Sequence, residues 1–299
     1  MKRVSLIAMA VLAHLTPLSA SAEAYGSGWY RELQVTVGQE DNVARSYQDD
    51  DVFDDLITTA SFGLGYSRKL GRGLQYVAGG YLSHTEHDEF DALSHTAISL
   101  NGSLIWQPGT GFDSPWYRIS GEVTRLSYPD SEAREGYLAT AGVSINRRFG
   151  MRAVGRAGYR YLDFIFDKDD AASNRDAAFD VARHEVGIGL DYLVAGDTWL
   201  VLDYAFQHGG FTASSSISPG EIDYEAETED PAFEACSIIR CVPFYAYRDI
   251  TDVHTAEIAL VFPLLGFDVD LSARYIDART DGGIDYNDWI AQAGIVWTF

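Results

Sequence analysis

Gly294-Ile295-Val296-Trp297-Thr298-Phe299 closes the sequence, and with the residues just before it reads as one strand. Ala291, Ala293, Ile295, Trp297 and Phe299 are apolar or aromatic at every second position. Gln292, Gly294 and Thr298 fill the alternate positions, with Val296 the exception. A period of two sends the two sets to opposite faces of a strand. A soluble sheet has no use for a row that finishes on a wet phenylalanine. A barrel in lipid has, because its outer face needs an apolar band bounded by aromatic girdles. The first expectation is a transmembrane strand with Ile295, Trp297 and Phe299 facing outward.

The other end of the sequence agrees. Lys2 and Arg3, the apolar stretch from Val4 to Leu18, and Ala20-Ser21-Ala22 form the three parts of a secretory signal peptide. The expected organisation is a signal peptide over 1–22 and a barrel over 23–299. No later segment reaches the ~20 apolar residues of a helical span, and in lipid the alternative to helices is a closed barrel. The terminal alternation resembles the C-terminal assembly signal of Gram-negative outer-membrane β-barrels, in which a terminal Phe follows alternating apolar residues. That resemblance implies a multi-pass protein of the cell outer membrane. It also implies contact with outer-membrane lipids and handling by periplasmic chaperones and the barrel-assembly machinery.

Composition fits this class. Two cysteines in 299 residues exclude a disulfide-rich secreted scaffold. Loss of Lys2 and Arg3 with the signal takes the formal charge from -22 to -24, which argues against nucleic acid, whose binding needs clustered Lys and Arg.

Twelve segments alternate with period two: 29–38, 57–67, 74–85, 94–106, 116–126, 137–146, 152–162, 179–192, 199–207, 253–262, 267–277 and 286–299. Their lengths suit tilted membrane strands. Connections after even-numbered segments are short; those after odd-numbered ones are mostly longer and acidic, the longest being 209–252. Short periplasmic turns, long external loops and an even strand count belong together in outer-membrane barrels. The expected fold is an all-β, antiparallel up-and-down transmembrane barrel of about twelve strands. A soluble sandwich or barrel would turn one face of every strand into a core, and the charges on the polar faces make that costly.

The polar faces then line the lumen. Arg118, Arg152, Arg156, Arg160 and Arg183 fall on segments five to eight; Glu185, Asp191, Asp203, Glu257, Asp268, Asp270 and Asp288 fall on segments eight to twelve. This pattern predicts a basic wall facing an acidic one across a narrow channel for small hydrophilic solutes, with charge setting selectivity. The arginine column resembles the basic tracks of narrow twelve-stranded oligosaccharide channels, although the acidic wall departs from them. A closed barrel, plugged by salt bridges and acting in adhesion or assembly, is the alternative reading. An outer-membrane lipid hydrolase is a further one. That chemistry needs a nucleophile, a base and an orienting group within reach, and of the seven histidines none has Ser two residues on.

Cys236 and Cys241 lie close together in the long loop of a secreted chain, and a small disulfide is expected there. No metal-ligand motif is present. Asp49-Asp50-Asp51 with Asp54-Asp55, and Asp167, Asp169 and Asp170, could hold Ca²⁺ or Mg²⁺ weakly; otherwise no cofactor is implied.

Overall fold

The computed structural model describes residues 27–131, 134–166, 178–216, 226–233, 235–236, 241–283 and 285–299. The expected signal peptide and the Asp167–Asp170 cluster lie outside them. The strands are β1 (Gly28–Glu40), β2 (Asp55–Gly71), β3 (Leu74–His87), β4 (His95–Trp106), β5 (Trp116–Ser127), β6 (Gly136–Phe149), β7 (Ala153–Phe166), β8 (Val181–Ala195), β9 (Thr198–Ser215), β10 (Ala226–Glu229), β11 (Ala235–Cys236), β12 (Cys241–Val242), β13 (Tyr245–Leu264), β14 (Phe267–Thr280) and β15 (Tyr286–Thr298). Strands β1 to β9 and β13 to β15 each pair antiparallel with the next, β9 pairs with β13, and β15 pairs with β1. The result is a closed twelve-stranded antiparallel barrel with both described termini at the end that carries the short turns.

Alternation decides which way each strand faces. Trp29, Leu64, Leu100, Ile119, Val143, Ile188, Ile258 and Trp297 all stand exposed, Leu100 at 69%. With no water-facing role, this band is an outer surface built for lipid. Four of the five turns at the terminal end are tight. In Leu265-Gly266 both residues have positive φ, 55° and 89°, as the two-residue hairpin turn matching strand twist requires.

The seam between first and last strands runs from Glu32↔Thr298 to Glu40↔Ile290. One further rung carries it to the final residue: Arg31 N donates to Phe299 O, and Phe299 N to Arg31 O, both at 3.0 Å.

At the opposite end the sequence reading needs correction. The loop expected over 209–252 starts later and ends earlier, because β9 and β13 stay paired out to Ser215↔Tyr245. Phe211, Ala213, Ala246 and Tyr247 are buried there, so packing continues the hairpin above the membrane band. The 18 residues of β9 and 20 of β13 exceed the 9–11 or so that a membrane strand needs.

Candidate functional site in the lumen

The inward face differs sharply around the barrel. From β2 to β6 it is mostly short at mid-height, with Ser61, Ser83, Ser99, Asn101, Ser120 and Ser144 partly exposed to the interior, while Val77, Ile105 and Trp116 pack against Tyr30 towards the terminal end. Two tyrosines lie flat here instead of projecting. Tyr81 covers Gly63 and Tyr30 covers Gly65, so closely that no Cβ would fit at either glycine.

From β7 to β14 the face is charged, and Arg156, Arg160 and Arg274 are paired on it. Arg156 on β7 reaches Asp191 on β8 and forks onto Asp203 on β9, with Nε to Oδ1 at 3.1 Å. To reach Asp203 it must pass over β8, at Gly189. A Cβ there would fall within 3.0 Å of both Arg156 and Asp203, so this glycine is what lets the guanidinium cross. Arg160 holds Glu185 at 2.8 Å, and Gln207 donates to the same carboxylate at 2.7 Å. Arg274 on β14 grips its cross-strand partner Glu257 through Nε at 2.8 Å and Nη2 at 2.5 Å.

The expected opposed walls are therefore corrected. Arg156 and Arg160 are neutralised by acids one or two strands away along the same arc. Short distances and low exposure favour such pairs over a partner across the lumen. Arg152 leaves the wall altogether: it sits exposed in the turn before β7. Arg118 stands low in the lumen near Tyr30 and Tyr81. Asp268 is exposed at the terminal rim, and Asp270 lies one step further in. Asp288 is fully buried at the other end, where it accepts from Asn42 N at 3.3 Å. Arg274, which alternation puts on the polar face of its strand with Asp268 and Asp270, stands in neither expected wall, and it belongs to the charged face through Glu257.

The sequence reading missed the cap. At the long-loop end, Val43, Ala44, Phe53, Phe90, Leu93, Phe233 and Phe244 pack into one apolar cluster. These residues come from loops far apart in sequence. Hydrogen bonds fasten the cap. Residues 41–54 reach from β1 towards β9, where Ser214 N donates to Ala44 O at 2.9 Å. Ser215 and Ser216 hydroxyls donate to Asp51 at 2.7 and 2.8 Å. Asp230, fully buried, accepts from Arg134 Nη2 at 2.5 Å and Ser214 Oγ at 2.6 Å.

Asp51 and Asp55 are thus spent on internal contacts, the latter with His87 at 2.8 Å, instead of forming an oxygen-rich rim. Among the described residues no three acidic, His or Cys side chains converge as a metal site.

Arg45 dips from this cap into the barrel. It has a left-handed backbone, φ 55°, a costly conformation for a residue with a Cβ. Burial works against its charge, but Tyr286, Glu40 and Asp288 more than offset that and raise its pKa above the ordinary arginine value. Beneath the cap is a cavity of about 190 Å³, lined by Glu40, Arg45, Arg183 and the underside of the cap cluster.

Outside the barrel, His184 and His254 face the lipid side. Each lies 2.7 Å from a tyrosine hydroxyl, Tyr159 and Tyr204 respectively, where a hydrolase would need a serine.

A solved outer membrane channel from Pseudomonas putida F1 superposes on this chain with a TM-score of 0.60 at 10% identity, covering 92% of this chain and 96% of its own. The fold is that of an outer-membrane barrel. The NanC porin is a more distant neighbour of this barrel, at TM-score 0.45 and 9% identity, over 89% and 98% of the two chains. The translocator domain of autotransporter NalP from Neisseria meningitidis stands at 0.41 and 11%, over 95% and 93%. No family model matches the barrel's sequence, and no curated protein matches it.

Proposed function

We propose that the chain is a narrow channel of the outer membrane for small hydrophilic solutes, held closed at rest by its external cap. The observation that supports this reading is the contrast along the lumen. Inward side chains at mid-height, such as Ser83, Asn101, Ser120, Glu122 and Thr140, are partly exposed, whereas those at the external end, such as Glu40, His95 and Asp288, are buried. A twelve-stranded barrel lies between the filled eight-stranded and the open sixteen-stranded kinds. Short side chains on β2 to β6 leave the space, and the ion pairs on β7 to β14 draw their side chains to the wall. Outer-membrane lipids, periplasmic chaperones and the assembly machinery are the partners this reading implies.

The cap supports a second reading, a closed barrel whose external surface meets another protein. Planar-bilayer recording of the refolded full chain separates the two. A channel gives discrete conductance steps, more frequent when Phe233→Ala and Phe244→Ala loosen the cap. Arg156→Glu should then shift the ion preference towards cations, since it sets a third carboxylate beside Asp191 and Asp203 on a low-dielectric wall. Silence from both the wild type and the loosened variant removes the channel.

A further inference from the structure

The lumen arginines on β7 and β14 each hold a carboxylate, but Arg183 on β8 does not. Its guanidinium rests 4.9 Å from the centre of the Phe211 ring, with Arg45 at 5.2 Å from the same ring. Among the described residues Arg183 makes no ion pair, and its buried Nε has no acceptor. Two cations therefore share one aromatic ring: Glu40 and Asp288 bear on Arg45, while Glu185, the acid that bears on Arg183, is already shared with Arg160 and Gln207. A buried charge without a counter-charge is costly, and an aromatic face offsets only part of that cost.

Arg183 lines the cavity beneath the cap. The lining is mixed: Leu93, Leu126, Phe164, Phe179 and Phe233 form an apolar patch, and polar groups such as Glu40, Tyr128, Thr212 and Ser214 make up the rest. Of the other charged groups there, Arg134 is held by Asp230 and His87 by Asp55, while Glu40 faces Arg45. His95 is held by Leu93 O at 3.0 Å. The cavity thus offers one open cation beside an apolar patch on the cap side, a pairing suited to a small solute with an anionic head and a compact apolar body.

We propose that this cavity binds a small organic monocarboxylate, its carboxylate on Arg183 with Arg45 assisting, and its body against the cap phenylalanines. The proposal rests on the channel reading and names the class of solute held in transit. Binding is measured without conductance, so the two fail separately. The refolded full chain in detergent is titrated calorimetrically with cyclohexanecarboxylate, and with cyclohexylmethanol as a neutral shape match. The acid should bind and the alcohol should not. Arg183→Gln should weaken the acid by about tenfold or more, and Arg183→Lys by less, because the ion pair carries the contact. Equal binding of acid and alcohol, no binding of the acid, or an unchanged Arg183→Gln variant overturns the proposal. If Arg183→Gln does not refold, competition on the wild type decides. Displacement of the acid by equimolar inorganic phosphate would show a bare anion site and refute the apolar part. A chain that binds the acid yet stays silent in bilayers refutes the channel and keeps the site.

Discussion

Gly189→Ala tests the crossing of Arg156 over β8. The added Cβ would lie within 3.0 Å of Arg156 and Asp203 atoms, so the guanidinium has to lift by roughly an ångström to restore ordinary contact. The fork onto Asp203, with its 3.1 Å Nε bond, is then stretched or lost, while the contact to Asp191 on the near side survives. Arg156 and Asp203 side chains are 10% and 19% exposed, low enough for a charged hydrogen bond to matter. Such bonds contribute about 1.5–3 kcal/mol, and the wet lumen places this one at the lower end, so a loss of about 1–2 kcal/mol is expected. The assay is urea unfolding in lipid vesicles, followed by tryptophan fluorescence. Gly294→Ala is the control: its Cβ meets Thr36 at an ordinary 3.5 Å, so stability should stay within about 0.5 kcal/mol, or rise slightly through the unfolded chain. The decisive measurement is the double mutant. In an Arg156→Gln background the crossing is gone, and Gly189→Ala should cost about 1 kcal/mol less than it does alone. Strict additivity of the two changes would refute the reasoning.

The remaining predictions need simpler readouts. Phe299→Asp places a charge on the lipid face at the last rung of the seam. It should block assembly in the outer membrane while export continues; normal outer-membrane levels would disprove the assembly-signal reading. The Cys236 and Cys241 side chains lie outside the described ones, but their backbones are directly paired. Such partners stand about 4.5–5.5 Å apart, inside the disulfide range of about 4.4–6.8 Å, so alkylation of the denatured, unreduced chain should find no free thiol. Unboiled protein should migrate differently from boiled protein on a gel, and a chain that stays soluble without detergent contradicts the lipid-facing band.

The strands were legible because lipid on one side and water on the other impose a strict period of two. A run such as Ile98, Leu100 and Leu104 against Ser99, Asn101 and Ser103 admits only one orientation. Parity groups Arg152 with Arg156 and Arg160, but it says nothing about where a strand starts, and Arg152 falls in the turn. The opposed walls failed for another reason: charge counted by strand ignores what neighbouring strands touch. Strand order in an up-and-down barrel follows the sequence, so β7, β8 and β9 had to be adjacent, and Arg156 with Asp191 and Asp203 could have been paired on that ground alone. The cap was not legible. Phe53, Phe90, Phe233 and Phe244 lie in four separate stretches with no period, and only tertiary packing brings them together.

The seam between β1 and β15 joins the earliest strand to the latest, with Phe299 and Arg31 as its outermost rung. Its entropic penalty grows only with the logarithm of the intervening length, so delay and not free energy is the obstacle. Until the final strand arrives, the nascent sheet carries two raw edges, each a template for any other extended chain. The hairpins between can zip early, since their contacts are local. The barrel therefore matures in a last act: its two edges disappear together only when the final strand pairs with the first from Glu32 to Glu40.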